Sequence, residues 1–385
     1  MPIYETHTNF TNLIGKKMKK IAIIIEDYTL MGGTERVTAN LCKLFLANSI
    51  PLWGLISLKK THEKPKLIYP SQLHIEAIPI KLLRKKLIEE EITDVILQMY
   101  DLNNNYKILK NIIDLKVKKY SVLHTTPYAH LHRFLPATTI RGQLSKLKVK
   151  VFTRPKNLAL LKNIALMSDK YIMVSKSVEN EIKILLPSHY HSKITYIYNS
   201  TGITETSNTF KKNIITYAGR LTNEKRVTFL VKTLIPILQK NYNWEFHILG
   251  DGPEFDTINE ILCKHNISTI KILGSVEDVH QRLSQSKICI LYSYYEGLPT
   301  VLLEGAYTHN VLLSYNSKGG VKDIVHDGVN GFIVDNEQEL QSRVKYLIDN
   351  EHEIERLSDN NTKVLESFSD ESILDRWEKI LSGVI

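Results

Sequence analysis

Short apolar runs alternate along the chain with stretches in which apolar positions recur every three or four residues. In the first half, KKIAIII reads as a buried strand and ERVTANLCKLFLAN as the helix after it. LWGLISL, TDVILQMY, KYSVLH and KYIMVS are later strands. In the second half NIITYAG, EFHILG, IKILG, ICILYS, VLLSY and GFIV play that part, with VTFLVKTLIPILQK and TINEILCKHN among the helices between them. Continuous apolar strands separated by helices predict parallel sheets covered on both faces. At 385 residues the chain exceeds one ordinary core, and each half is the size of a doubly wound domain. The polar stretch from Asn199 to Asn213 predicts a linker. The expected division is 1–200, 201–365 and a C-terminal helix over 366–385 that packs back towards the first domain. Two Rossmann-like doubly wound α/β domains joined by a hinge enclose a central cleft at the carboxyl ends of their sheets, where ligands bind.

Composition narrows the class. Cys42, Cys263 and Cys289 are scattered in apolar surroundings, which argues against a disulfide framework or a zinc site and fits a reducing compartment. No apolar run reaches the roughly 18–20 residues that span a bilayer, and Glu26 and Asp27 end the first apolar block too soon for a signal peptide. The expected location is cytoplasmic. The net charge of +9 conceals an asymmetry: residues 1–200 carry a balance of +16 and residues 201–385 a balance of −7. Between Asp114 and Asp169 there is no acid, but eleven Lys and Arg. Such a half meets an anionic partner or simply presents a solvated basic face. The mixed basic and apolar segment TTIRGQLSKLKVKVF favours peripheral contact with the inner face of an anionic membrane over nucleic acid, for which no motif is present.

The candidate chemistry lies just after strands. Gly32 and Gly33 follow the first strand and open a helix, where backbone N–H groups favour an anion. After NIITYAG, Arg220 and Lys225 share a loop and suit a diphosphate, or are surface charge. GDGPE after EFHILG lacks the third glycine of a dinucleotide fingerprint and reads as a turn. In SYYEGLPTVLLEGAY, Glu296 precedes Gly297, Leu298, Pro299 and Thr300 at a helix start, and Glu304 falls inside the apolar run. A carboxylate on each side of such a turn accepts hydrogen bonds from vicinal hydroxyls, as on a sugar and a ribose. Otherwise Glu304 caps or pairs with a neighbour. A glutamate in an apolar run needs some partner.

These segments together resemble the retaining glycosyltransferases of the GT-B fold, family 4 (glycosyl transferases group 1). YAGRLTNEKRVTFLVKTL, FHILGDGPE, KILGSVEDV, SYYEGLPTVLLEGAY and GGVKDIVHDGVNGFIV follow in the family's order, and GGTERVTANL matches its N-terminal glycine loop. The resemblance implies that Arg220 and Lys225 hold the donor diphosphate. It implies that Glu296 binds the donor sugar with the backbone of Gly297 to Thr300, and that Glu304 binds the ribose, so that its partner is a ligand. Gly32 and Gly33 would close on the donor. His124, in VLHTTPY, matches a position near the reacting sugar and is equally a satisfied structural histidine. Two departures stand out: Gly319-Gly320 where many members have Gly-Pro, and Gly305 where alanine is usual, which should weaken its helix slightly.

The implied activity is retaining and metal-independent transfer of a sugar from a nucleotide-sugar, read as a UDP-sugar. The acceptor would be a saccharide or lipid-linked group in polysaccharide, lipopolysaccharide or glycoconjugate synthesis. The chain has no Asp-x-Asp element, so no metal or other cofactor is expected. The rival readings are a non-hydrolysing sugar-nucleotide epimerase and a non-catalytic sugar-nucleotide-binding partner subunit.

Overall fold

The computed structural model describes residues 19–59, 64–131, 147, 149–203, 210–276 and 278–385. Seven strands form the first sheet: β1 (Ile21–Ile25), β2 (Leu52–Ser57), β3 (Ile75–Ala77), β4 (Asp94–Met99), β5 (Lys118–Leu123), β6 (Lys170–Met173) and β7 (Ile194–Tyr196). They pair in parallel in the order 3-2-1-4-5-6-7. The second sheet contains β8 (Lys212–Ala218), β9 (Glu245–Leu249), β10 (Ile270–Gly274), β11 (Ser286–Leu291), β13 (Val311–Tyr315) and β15 (Gly331–Val334), parallel in the order 10-9-8-11-13-15. A separate two-strand pair joins β12 (Tyr295–Glu296) to β14 (Lys318–Gly319).

Every residue of β1 and of β4 is buried, as central parallel strands with helices on both faces require. The strands expected from apolar runs are present. The edge strands β3 and β7 were not legible because three residues each, mostly half-exposed, make no run. In each sheet the chain order reverses beside the first strand, between β1 and β4 and between β8 and β11. A crevice opens at such a reversal, and the loops after these four strands line it.

The chain passes from one sheet to the other after β7, and its last helix, Asp370–Ser382, returns to the first. Trp377 packs edge-on against Phe45 of the helix Gly33–Ala47, with ring centroids 5.6 Å apart. Arg376 donates to the Tyr196 carbonyl at 2.9 Å and lies over its ring, and the Ser200 hydroxyl donates to Asp370 at 2.6 Å. On the opposite side, Asp323 of the second domain accepts hydrogen bonds from the backbone N–H and hydroxyl of Ser177. Ser177 lies in the first turn of helix Lys176–Leu185, where a carboxylate meets free N–H groups and the positive end of the helix. Glu181 of the same helix accepts from the Gly319 N–H at 3.0 Å and from the Thr126 hydroxyl.

The basic first half is partly self-satisfied. Lys119 is buried and donates to the carbonyls of Leu115 and Val117, and Lys118 pairs with Asp169. Lys116 is exposed, as are Lys150, Arg154 and Lys156, which neighbour exposed Val151 and Phe152 along the chain. Arg133, Arg141, Lys146 and Lys148 lie outside the described residues. No described helix is long and apolar enough to cross a membrane.

Candidate functional site

The loop after β8 and the loop after β11 are bound to each other. The Tyr294 N–H donates to the Glu224 carbonyl at 2.9 Å, and Lys225 Nζ donates to Glu296 Oε1 at 2.6 Å. Lys225 and Glu296 are both largely buried, so their attraction is screened little by water. The turn after β9, read from sequence as a plain turn, braces the loop from behind. Leu221 N–H donates to the Asp251 carbonyl, Glu254 N–H to the Leu221 carbonyl, and Thr228 to the Glu254 carboxylate.

Arg220 and Lys225 are not an equivalent pair. Arg220 is well exposed, with only a distant contact to Glu224 at 3.7 Å, and its guanidinium reaches into open solvent beside the loop. The Thr222 hydroxyl between them is buried with no hydrogen-bond partner among the described residues. The loop therefore presents one paired ammonium, one exposed guanidinium and one unsatisfied hydroxyl at a strand end.

Gly297 shows why the residue after Glu296 is glycine. A Cβ there would strike the carbonyl of His124 and the Cα of Thr125, which belong to the other domain. Leu298 and Pro299 are buried, Thr300 is half-buried, and the helix runs Thr300–Tyr307 with Pro299 just outside it rather than at its first position. His124, at the end of β5, donates from Nε2 to Gln98 Oε1 on β4. Burial pushes its imidazole down to about 4, so the ring is neutral near pH 7. The structure thus gives His124 a side-chain partner and places its backbone against Gly297.

Glu304 is buried, and within the protein it pairs with another side chain, the alternative the sequence left open beside a ligand partner. Arg36, on the first domain's helix Gly33–Ala47, approaches Glu304 Oε1 at 3.5 Å. Burial pushes the Glu304 carboxyl up to about 7, against the pull of Arg36 and with a further push from Asp278. Gly32 caps the helix with no side-chain hydrogen bond. The Glu35 carboxylate folds back over Gly32 and its backbone N–H groups. Burial, with Glu26 and Asp27 nearby, raises the Glu35 carboxyl. In front of Gly33 a Cβ would meet nothing, so the space facing the cleft is open there.

Two residues were not singled out from the sequence. Arg36 lies within the quoted glycine-loop segment but pairs with a residue far along the chain. Arg226 follows Lys225 with φ 54°, ψ 36°, a left-handed conformation that costs a non-glycine residue roughly 1–2 kcal/mol. Its signal was available only in part, as a second basic residue after Lys225.

The departures at Gly320 and Gly305 have structural reasons. The Gly320 N–H donates to the Gly297 carbonyl at 2.9 Å, a bond proline could not make. A Cβ on Gly305 would come within 2.8 Å of the Cys289 Cβ on β11, so the glycine seats its helix on the sheet.

Comparison with known proteins bears on the family of the second domain and on the fold. The family model described as glycosyl transferases group 1 matches residues 203–364, which hold the whole second sheet. A Campylobacter jejuni protein, named as an alpha-1,4-N-acetyl-D-galactosaminyltransferase acting on a diNAcBac-PP-undecaprenol-linked acceptor, is 29% identical over 53% of this chain and 55% of its own length. An uncharacterized glycosyltransferase of Methanocaldococcus jannaschii is 28% identical over 56% of this chain and 58% of its own. The chain thus matches little more than half the length of either relative. Among solved structures, Staphylococcus aureus TarM in complex with fondaparinux, alpha-GlcNAc-glycerol and UDP superposes with TM-score 0.75 at 14% identity, covering 94% of this chain and 99% of that one. Residues 203–364 match the glycosyl transferases group 1, and the chain as a whole has the GT-B fold.

Proposed function

We propose that the protein is a retaining, metal-independent glycosyltransferase that moves a sugar from a UDP-sugar to a saccharide or lipid-linked acceptor in glycoconjugate or polysaccharide synthesis. The observation that carries this reading is the Lys225–Glu296 contact at 2.6 Å, set at the β8/β11 reversal with the buried carboxyl of Glu304 below it. Lys225 and Arg220 supply positive charge where a diphosphate would depart, the type of fixed electrostatic stabilisation that matters most in such sites. Glu296 accepts hydrogen bonds from sugar hydroxyls, and Glu304 from the ribose once Arg36 gives way. In the reaction the bond between the anomeric carbon and the phosphate oxygen breaks, and the acceptor hydroxyl attacks from the same face. The hydroxyl's proton passes to the leaving phosphate. His124, neutral and bonded to Gln98, orients groups at the sugar rather than carrying that proton.

Support for the donor comes from TarM and from Anabaena HepE, which superpose on this chain and are described in complex with UDP and with UDP-glucose respectively. Support for a lipid-linked acceptor comes from the name of the Campylobacter relative and from the exposed basic and apolar residues Lys150, Val151, Phe152, Arg154 and Lys156. Such a surface fits an anionic bilayer on the cytoplasmic side.

The test offers UDP-, GDP- and ADP-sugars to the purified protein and follows nucleotide diphosphate release, with and without membrane lipid extract and with and without a chelator. Release from a UDP-sugar that needs extract, survives the chelator and is lost in Glu296→Ala is the expected result. Binding without release under any condition would replace this reading with a partner subunit, and donor isomerisation without acceptor would replace it with an epimerase. The anomeric configuration of the product, read by NMR, tests retention.

A further inference from the structure

Arg226 has an unusual setting. Its guanidinium carbon lies 4.5 Å from the ring centroids of Phe229 and Tyr292, 4.6 Å from Tyr294 and 4.9 Å from Tyr315. Among the described residues no carboxylate lies within ion-pair distance of it. Phe229 and Tyr292 are themselves stacked, with centroids 4.9 Å apart and planes 16° from parallel, and Tyr292 packs on Tyr315 at 4.8 Å. The rings come from three places: the first turn of helix Val227–Leu238, the loop after β11 and the end of β13. A planar, weakly hydrated guanidinium among ring faces is held by cation–π attraction and stacking, which a compact ammonium reproduces poorly.

The position of this cage matters more than its composition. Arg226 is the neighbour of Lys225, and Tyr294 stands two residues before Glu296. Both ends of the Lys225–Glu296 contact are therefore tethered to one cluster. Arg226 also sits where its backbone is left-handed, at the corner between the short turn Asn223–Lys225 and the following helix, whose Leu230 N–H it accepts. Glycine would enter that conformation freely. An arginine kept there in spite of its backbone is explained by what its side chain does.

We propose that Arg226 is a positioning residue: clamped by Phe229, Tyr292, Tyr294 and Tyr315, it fixes the loop that presents Lys225, so that the ammonium meets Glu296 and the donor diphosphate. The proposal rests on the donor reading above and adds to it the device that orders the cation. It requires that Arg226 act through Lys225, not through general stability, and this separates it from a purely structural role.

The test is a double-mutant cycle in UDP affinity, measured by calorimetry on the full chain for wild type, Arg226→Lys, Lys225→Ala and the double variant, with melting temperatures recorded in parallel. The expected result is that Arg226→Lys weakens UDP binding about tenfold when Lys225 is present and less than about twofold when it is absent, while its effect on melting is the same in both backgrounds. Arg226→Gly, which relieves the backbone, should weaken binding likewise while remaining folded. Unchanged UDP affinity in both Arg226 variants would overturn the proposal, as would an equal loss with and without Lys225. If the wild type binds none of UDP, GDP and ADP, the donor reading fails and the positioning role falls with it. Wild-type binding with a flat cycle removes the positioning role alone.

Discussion

Glu304 shows what a single residue can and cannot reveal. That a glutamate in VLLEGAY needs a polar partner follows from the cost of burying a lone carboxylate. That the protein's own partner is Arg36, from the other domain, does not follow, because the two lie 268 positions apart and meet only when both domains are in place. The buried carboxyl holds its proton to about 7, against an ordinary value of 4.5. Between those values the folded chain binds the extra proton, so this group's contribution to stability falls as pH rises through that window. Under the proposed function ligand binding runs the other way, because an ionised Glu304 would accept from two ribose hydroxyls. UDP affinity in the wild type should therefore tighten by up to about tenfold between pH of about 6 and about 8, beyond any change seen in Glu304→Gln. Calorimetry across that range checks it, and parallel profiles for the two proteins would remove Glu304 from the site. Gly297 makes a second residue-scale claim. Its missing side chain admits the His124 carbonyl, so Gly297→Ala should cut turnover severely, by about a hundredfold, and also lower the melting temperature because the backbone must shift.

At the scale of elements, the central strands and their helices were legible because buried parallel strands leave unbroken apolar runs such as IAIII and VILQM. The pair β12–β14 was not, since Tyr295–Glu296 and Lys318–Gly319 are two residues each and carry no periodicity. That pair nevertheless sets Glu296 at the cleft, with Gly319 and Gly320 packed on the backbone of Glu296 and Gly297. Gly305 reverses a sequence expectation. On helix propensity alone, alanine would stabilise Thr300–Tyr307 by up to about 1 kcal/mol. The Cβ would press on Cys289 and Leu312, and overpacking of that kind costs about 1–3 kcal/mol. Gly305→Ala should therefore lower stability by about 1 kcal/mol, seen as an earlier denaturant midpoint. A later midpoint would show that the sheet yields. The Arg226 cage belongs to this scale as well: its rings are separate aromatic residues in the sequence, and only the β11 and β13 ends bring them together.

For the whole molecule, the sequence indicated two doubly wound halves, a hinge and a last helix packing back towards the first half, but it named none of the contacts that hold the halves together. Asp323 at the first turn of helix Lys176–Leu185, and Glu181 on the Gly319 N–H, fasten the cleft side. The helix Asp370–Ser382 fastens the back through Trp377, Arg376 and Asp370. These contacts differ in kind. Trp377→Ala should cost about 3–5 kcal/mol of stability because it empties a buried site against Phe45. Asp323→Ala should leave melting nearly unchanged but loosen closure, increasing the radius of gyration in solution scattering and raising donor KM. An unaltered scattering profile and KM would show that Asp323 does not hold the cleft. The charge asymmetry between halves was legible by counting, yet its meaning was not, since Lys119 is buried on backbone carbonyls and Lys118 pairs with Asp169 at the surface.

The central claim is that the cleft between the sheets holds a nucleotide-sugar on Lys225, Glu296 and Glu304. A crystal structure of the protein with bound UDP tests it most directly. The account predicts the diphosphate within hydrogen-bond distance of Lys225 and Arg220, the ribose hydroxyls on Glu304, and Arg36 withdrawn from that carboxylate. A nucleotide seated elsewhere, or Glu304 still held by Arg36 with the ribose out of reach, would contradict it.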